Sequence, residues 1–211
     1  MKIGKIPEAV LNRSVLKQIR HRRDEVLVGP AIGEDCSIID LNGDEVIVMS
    51  TDPITGTVQD IGTLAVHITA NDIASSGAEV IGVMLSVLLP ENTPEAELRN
   101  LMRDVDKVCG QLGIEVLGGH TEVTKTVCQP IVTVTGIGKM KKADMIKTSG
   151  ARPGQEIVMT KWAGLEGTAI LAKAKEKELL TRYPADFIKE AQKMLDYISV
   201  VPESRVAMKV G

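Results

Sequence analysis

The chain has 211 residues, a formal net charge of −3 and 44% hydrophobic residues, proportions that are typical of a soluble globular protein. Its one Trp, two Tyr and one Phe all lie beyond residue 161. Single-stranded nucleic-acid platforms and membrane-interface belts both depend on aromatic rings, which the first 161 residues do not offer. The slight acidic excess also gives no electrostatic attraction to nucleic acid or anionic lipid. We therefore expect neither as a partner.

The cysteines and the apolar segments indicate a cytoplasmic protein. Cys36, Cys109 and Cys128 are far apart and show no metal-binding spacing, which favours reduced thiols. The longest apolar stretch, residues 81–89, is far too short to span a bilayer. The N-terminal residues lack the hydrophobic segment of a signal peptide.

Predicted strands and helices alternate along the chain. Short runs rich in branched residues predict strands at 45–50, 80–89, 114–117 and 131–137. Apolar side chains at spacings of three and four predict helices at about 60–75 and 94–112. This interleaved order predicts an α/β or α+β fold.

A change of composition between residues 139 and 155 predicts a domain boundary. The segment is basic and is punctuated by Gly150, Pro153 and Gly154. We divide the chain into domains at 1–150 and 151–211, and beyond the boundary we expect a strand at 156–160 and helices at about 165–180 and 184–197. Only residues 155–211 follow Gly154. They form either part of an apparently truncated domain or a small terminal subdomain.

Four polar clusters lie at predicted turns or helix ends. They are GPAIGED at 29–35, STDP at 50–53, ND at 71–72 and GGHTE at 118–122. Each cluster is a weak signal alone, because Asp-Pro and Gly-Gly are ordinary turn sequences. Three of the four adjoin a predicted strand, so their side chains are candidates to converge at one edge of a sheet.

The aspartates of these clusters are candidate metal ligands. Asp35, Asp52 and Asp72 would repel one another if brought together bare, but Mg²⁺ with phosphate oxygens would make the arrangement favourable. Gly118 and Gly119 would let the backbone approach a phosphate closely. The alternative is that the three aspartates are separate surface turn residues. The Walker and dinucleotide-binding glycine motifs are absent from the sequence.

The ordered set of clusters resembles a known superfamily. It unites aminoimidazole ribonucleotide synthetase (PurM), the hydrogenase maturation protein HypE, thiamine-monophosphate kinase and selenophosphate synthetase. The likeness rests on GPAIGEDCSII (29–39), STDPITG (50–56), NDIASSGAEVIGVMLSVLLP (71–90) and GGHTEV (118–123), and it continues through TGIGK (135–139) and SGARPGQEIVMTKWAGLEGT (149–168). It is strongest to the HypE-like group.

The resemblance implies a fold and a ligand. A PurM-like N-terminal domain would carry a mixed sheet that pairs into a barrel across a homodimer, followed by the start of an α/β C-terminal domain. ATP and Mg²⁺ would bind there. Asp35, Asp52 and Asp72 would hold the metal, while Asn71, Gly118, Gly119, His120 and Thr121 would line the phosphate site.

The resemblance also implies a reaction. The shared chemistry is ATP-dependent activation of an amide or carboxamide oxygen, with a small-molecule or protein-bound carboxamide as substrate, and hydrogenase maturation is one process it suggests. A small-molecule kinase of the thiamine-monophosphate kinase or selenophosphate synthetase type is an alternative. A non-catalytic dimeric binding domain is another, because His120 stands where HypE and the kinase usually carry Asp. The resemblance leaves the catalytic residues unassigned.

Overall fold

A six-stranded mixed sheet forms the centre of the computed structural model, which describes residues 5–55 and 57–210. The strand order is β1-β2-β3-β6-β4-β5. Neighbouring strands are antiparallel except β4 and β5, which are parallel. The strands are β1 (Val26–Val28), β2 (Ser37–Asp40), β3 (Glu45–Ile54), β4 (Glu79–Leu89), β5 (Glu115–Val123) and β6 (Ile131–Lys141).

Helices alternate with these strands and then follow them. They are α1 (Glu8–Ser14), α2 (Ile61–Ser75), α3 (Glu95–Leu112), α4 (Leu165–Ala174), α5 (Glu176–Leu179), α6 (Ala185–Lys193) and α7 (Val201–Val210). Helix α3 makes the crossover that the parallel β4–β5 pair requires. The mixed α/β class predicted from the sequence is confirmed, as are α2 and α3 to within a residue.

Helices α2 and α3 cover one face of the sheet. The main core joins Ala65 and Val66 of α2 to Val83, Val132 and Val134 of the sheet, all fully buried. Alternate residues of the central strands point to the other face, where Thr133 and Thr135 are half-buried and Met84 is exposed. Because side chains alternate across a strand, one sheet face is packed and the other has no helix on it within the described residues.

Strand β3 is longer than predicted. It continues to Ile54 and therefore contains Asp52 and Pro53, which we had placed in a turn after residue 50. Beyond Met49 strand β3 pairs with β6 but no longer with β2. Proline is tolerated on such an unpaired side because no ladder hydrogen bond is lost.

The predicted strand at 156–160 is wrong. These residues form no regular structure, and Ile157, Val158 and Met159 are exposed. Within residues 5–55 and 57–210 no strand pairs with this segment, and a single strand lacks the ladder hydrogen bonds that stabilise it. The helix predicted at 165–180 is also divided, at Lys175, into α4 and α5.

The C-terminal helices pack against α2 rather than standing apart from it. Leu64 of α2 joins Leu165 and Ala169 of α4 in one buried cluster with Leu195 and Ile198. An ion pair of 2.8 Å between Lys173 and Asp60, the residue before α2, adds to this contact. A second ion pair of 2.8 Å, between Lys161 and Glu203, joins two parts of the C-terminal region. Helices α2 and α4 thus share one buried cluster across the predicted domain boundary. The division into domains at 1–150 and 151–211 stays a prediction.

Candidate functional site

Two of the predicted aspartates meet where α2 crosses strand β3. Ser50 of β3 donates a hydrogen bond from Oγ to Oδ2 of Asp72, at 3.0 Å. Asp52 lies two residues further along the strand, so its side chain points to the same face as that of Ser50. Helix α2 presents Asp72 here because Leu64, Ile68 and Asp72 follow one another at four-residue spacing, on one side of the helix.

Asp35 is brought to the same place by the loop before β2. The thiol of the adjacent Cys36 donates to the main-chain oxygen of Asp72 at 3.3 Å. This contact fixes the loop against α2. The three aspartates named from the sequence therefore lie together, although they come from a loop, a strand and a helix.

The three aspartates line one cavity of about 340 Å³. Its charged groups are one lysine, Lys5, against four carboxylates, because Glu166 of α4 also reaches it. The remaining wall is partly polar and partly aliphatic, formed by Pro53, Ile54, Thr55, Thr57, Leu64, Ile68 and Ile170. The cavity thus combines an acidic end with an apolar floor between α2 and α4.

Burial and the neighbouring carboxylates perturb the pKa of Asp72. Burial is the main cause that raises the pKa of Asp72 to about 7, and a hydrogen bond with Asp52 and the charges of Asp52 and Asp35 raise it further. The hydroxyl of Ser50 acts in the opposite direction. A bound cation would displace the proton from a carboxyl of this kind, because nearby positive charge favours the ionised form.

Cys36 is not suited to act as a nucleophile. Burial, followed by the charges of Asp72 and Asp35, raises the pKa of its thiol to about 12. Since the thiolate is the reactive form, this thiol is inert near neutral pH.

The carboxylate oxygens of the cavity suit a cation that binds together with a phosphate-bearing ligand. Among the described residues, no three His, Cys, Asp or Glu side chains stand close enough to hold a metal ion by themselves. Mg²⁺ usually keeps several waters and binds through one or two carboxylates plus substrate phosphates. An open group of aspartates in which the pKa of Asp72 is raised fits this mode, and Asp52 and Asp72 are the pair best placed for it.

Asn71 makes different contacts from those predicted for it. Its Nδ2 donates to the main-chain oxygen of Ile198 at 2.9 Å, and its Oδ1 accepts from the main-chain N–H of Val200 at 2.8 Å. Both ends of the amide thus hold the C-terminal segment against α2, next to Asp72. Its contact with phosphate stays a prediction.

The segment Gly118–Thr121 lies away from the aspartates within one chain. Asp52 pairs across the sheet with Val134, which pairs with Leu85, which in turn pairs with Gly119. Three strand spacings separate the two places, or about 14 Å. Thr121 and its neighbours occupy the edge strand β5 and are exposed.

Gly119 in this segment has a structural role. A Cβ on Gly119, whose φ is +154°, would lie 2.0 Å from the main-chain oxygen of Leu85, so only glycine permits β5 to approach β4 here. His120 contacts Glu122 through Nε2 and Oε2 at 3.0 Å on the exposed edge. The phosphate-binding role predicted for Gly118, Gly119, His120 and Thr121 stays a prediction.

Sequence reasoning missed the floor of the cavity and Glu166. The signal was present as four-residue spacing, Leu64–Ile68–Asp72 on α2 and Glu166–Ile170 on α4, which places each set on one helix face. That α4 packs on α2 was not readable from the sequence, because the contact depends on side chains far apart in the chain.

Comparison with known proteins identifies the family. Residues 33–140 match the family model described as AIR synthase related protein, N-terminal domain. The chain is 31% identical over 167 residues to carbamoyl dehydratase HypE of Cupriavidus necator, covering 76% of this chain and 48% of that protein. It is 26% identical over 145 residues to a selenide, water dikinase of Dechloromonas aromatica, covering 67% and 41%. The chain belongs to the AIR synthase-related family, as the sequence motifs predicted.

The fold comparison agrees with this assignment. The solved structure of AaThiL complexed with AMPPCP and TMP superposes with a TM-score of 0.71 at 18% identity, covering 86% of this chain and 58% of that one. The chain spans about half the length of the curated relatives it matches. None of the helices in the part of the chain described here has the length and apolar character needed to cross a membrane.

Proposed function

We propose that this chain binds Mg²⁺ and ATP in the cavity between β3, α2 and α4, and that it serves ATP-dependent activation of an amide or carboxamide oxygen. The observation that carries this proposal is the convergence of Asp35, Asp52 and Asp72 on one cavity. The relationship to carbamoyl dehydratase HypE supports the reaction class and a place in hydrogenase maturation. The AMPPCP complex of AaThiL, which shares the fold, supports a nucleotide as ligand.

The residues of the cavity would divide the work. Asp52 and Asp72 would hold Mg²⁺, which when bound neutralises charge on the phosphates of ATP, and Asp35 would complete the acidic end. The γ-phosphoryl group would pass to the amide oxygen with ADP as leaving group and loss of a proton from the amide nitrogen. Ser50 would orient Asp72 through their 3.0 Å hydrogen bond.

The open sheet face supports the homodimer predicted from the resemblance. Ile81, Met84 and Leu117 are 40%, 44% and 45% exposed on or beside this face, so an apolar strip runs across two strands. Two copies pairing through it would form the predicted barrel. A second copy would also offer its own β5 edge, which a single chain holds about three strand spacings from the aspartates.

Calorimetric titration with AMPPCP, an ATP analogue, tests the proposal. Wild type should bind the analogue with Mg²⁺ and lose affinity without it. Asp52→Asn and Asp72→Asn should each weaken binding by about tenfold or more, since each removes a charged ligand. Asp106→Asn on the exposed side of α3 serves as the matched control. Equal affinity in all four proteins would refute the assignment of the cavity.

A small-molecule kinase is the second candidate, favoured by relatives of that type. The solved structure of a thiamine monophosphate kinase from Aquifex aeolicus matches the fold of this chain with a TM-score of 0.66, and the selenide, water dikinase is a sequence relative. Product analysis separates the two reactions. A stable phosphorylated product indicates a kinase, whereas free phosphate with a dehydrated product indicates amide activation.

A non-catalytic dimeric binding domain is the third candidate. It is favoured by His120, whose imidazole is 65% exposed and bonded to Glu122 rather than directed at the aspartates. Dimerisation without AMPPCP binding would support this candidate, and ATP turnover would exclude it.

A further inference from the structure

Glu166 is the one carboxylate of the cavity that the sequence analysis did not name as a site residue. It lies in the first turn of α4, outside the matched residues 33–140, yet it lines the same cavity as Asp35, Asp52 and Asp72. Its side chain is exposed and takes part in no ion pair or side-chain hydrogen bond within residues 5–55 and 57–210. Its acceptor oxygens are therefore free for a ligand.

The packing of α4 on α2 fixes where Glu166 stands. Lys173, near the end of α4, pairs with Asp60 at the start of α2, and Ala169 shares a buried cluster with Leu64. The two helices therefore run antiparallel. Continuing this register by one turn places Glu166 beside Ile68. Glu166 thus stands about one helical turn, roughly 5 Å along α2, from Asp72.

The surroundings of Glu166 differ from those of the aspartates. By this register Ile170, which follows Glu166 by four residues on the same face of α4, lies beside Leu64, on the side of Glu166 away from Asp72. A ligand that lies along this cavity meets the aspartates with a cation at one end and then Glu166 as a further hydrogen-bond acceptor. Beyond Glu166 it contacts the aliphatic surface of Leu64 and Ile170.

We infer that Glu166 is a specificity-determining residue that binds the N–H group of a primary carboxamide and turns its oxygen toward the aspartates. This inference rests on the proposed function, because it assigns the acceptor to the same cavity. A primary carboxamide offers two N–H donors on one side and an acceptor oxygen on the other, so a carboxylate selects its orientation. The apolar floor takes the carbon skeleton attached to the amide.

The test compares two probes in the presence of Mg²⁺ and AMPPCP. Benzamide carries N–H donors and an apolar ring, and N,N-dimethylbenzamide has the same ring without donors. Titration of each into isotope-labelled protein, followed by amide chemical shifts, gives the two affinities. Wild type should bind benzamide about tenfold more tightly than the dimethyl compound, the scale of one hydrogen bond to a charged group.

The variants make the result specific to Glu166. Glu166→Ala should weaken benzamide binding by about tenfold, leave the dimethyl compound unchanged and leave AMPPCP affinity within about twofold. Glu166→Gln, which keeps one acceptor oxygen, should retain part of the preference. Glu178→Ala, an exposed glutamate on α5 away from the cavity, should behave as wild type.

Failure of this inference is distinguishable from failure of the proposed function. Loss of AMPPCP binding in wild type refutes both. Intact AMPPCP binding with no preference between the two probes, or with a preference that survives Glu166→Ala, overturns the role of Glu166 and leaves the nucleotide site standing.

Discussion

The sheet with α2 and α3 and the C-terminal helices α4 to α7 are built in different ways. The first region has a core of fully buried aliphatic side chains, among them Val83, Val105 and Val134. The second holds every aromatic residue of the chain, and Trp162, Tyr183, Phe187 and Tyr197 are each about half exposed. Its buried cluster is completed by Leu64, a residue of the first region. The second region therefore depends on the first for its packing.

This difference bears directly on the cavity, because α2 supplies one wall and α4 the other. The aspartates belong to the first region, whereas Glu166 and Ile170 belong to the second. Changes that loosen α4 should therefore alter the floor of the cavity before they alter its acidic end.

The largest expected effect comes from Leu64→Ala. Leu64 is 1% exposed and lies in the cluster shared with α4, so its truncation should cost about 2–5 kcal/mol of unfolding free energy. Leu101→Ala in α3 should cost a comparable amount within the first core alone. Hydrogen exchange should show loosening of residues 165–198 in the first variant and not in the second. Equal protection of that segment in both variants would contradict the dependence of the C-terminal helices on α2.

Asn71→Ala should have the next largest effect. It removes the bonds to Ile198 and Val200 and should cost about 1–3 kcal/mol, since buried main-chain groups lose their partners. The fluorescence of Trp162 measures this, because its ring lies 5.6 Å from that of Tyr197 in the same region. Asn100→Ala, on the exposed side of α3, is the control. If Trp162 fluorescence reports the same unfolding midpoint for Asn71→Ala and wild type, the anchoring role of Asn71 is contradicted.

The effect of Asp72→Asn on the free energy of unfolding should depend on pH, because Asp72 lies at the acidic end of the cavity. The pKa of Asp72 is raised from 3.8 to about 7, so the folded protein holds a proton that the unfolded chain releases across this range. Wild-type stability without metal should therefore fall as pH rises from about 4 to about 7. Asparagine does not titrate, so the variant should gain most over wild type near about pH 8 and nothing below about pH 4.

Thermal unfolding in EDTA at a series of pH values checks this expectation. Asp106→Asn should show no comparable gain. A stabilisation by Asp72→Asn that is the same at every pH would show that the pKa of Asp72 is not raised in the folded protein.

The smallest effect is expected at His120. Its contact with Glu122 is exposed on an edge strand, so His120→Ala should change the unfolding free energy by less than about 0.5 kcal/mol. Chemical denaturation of the single chain at low concentration provides the measurement. A loss well above that size would mean that the edge of β5 is buried in the folded protein.

The sequence predicted those features that depend on local pattern. Helix α2 was found from its apolar spacing and α3 from its amphipathic stripe, and the motifs indicated the family. That Asp35, Asp52 and Asp72 come together was one of two interpretations of the sequence, the other being three separate surface turns, and the structure places all three on one cavity.

Features that depend on distant contacts were not predictable in the same way. The run Ile157–Met159 has strand-like residues, but within the described residues it has no partner strand, and local propensity alone does not form a strand. Asn71 looked like a ligand-binding residue beside Asp72, yet its amide holds residues more than 120 positions later in the chain. Glu166 lines the cavity only because α4 packs on α2, and the sequence does not indicate that contact.

Paramagnetic line broadening by Mn²⁺ with AMPPCP tests the central claim most directly. Mn²⁺ replaces Mg²⁺ at oxygen ligands and broadens the amide signals of residues near it. The account predicts loss of signals around Asp35, Asp52 and Asp72, and restoration of those signals in Asp72→Asn. Unchanged signals at all three aspartates, with broadening elsewhere or nowhere, would contradict it.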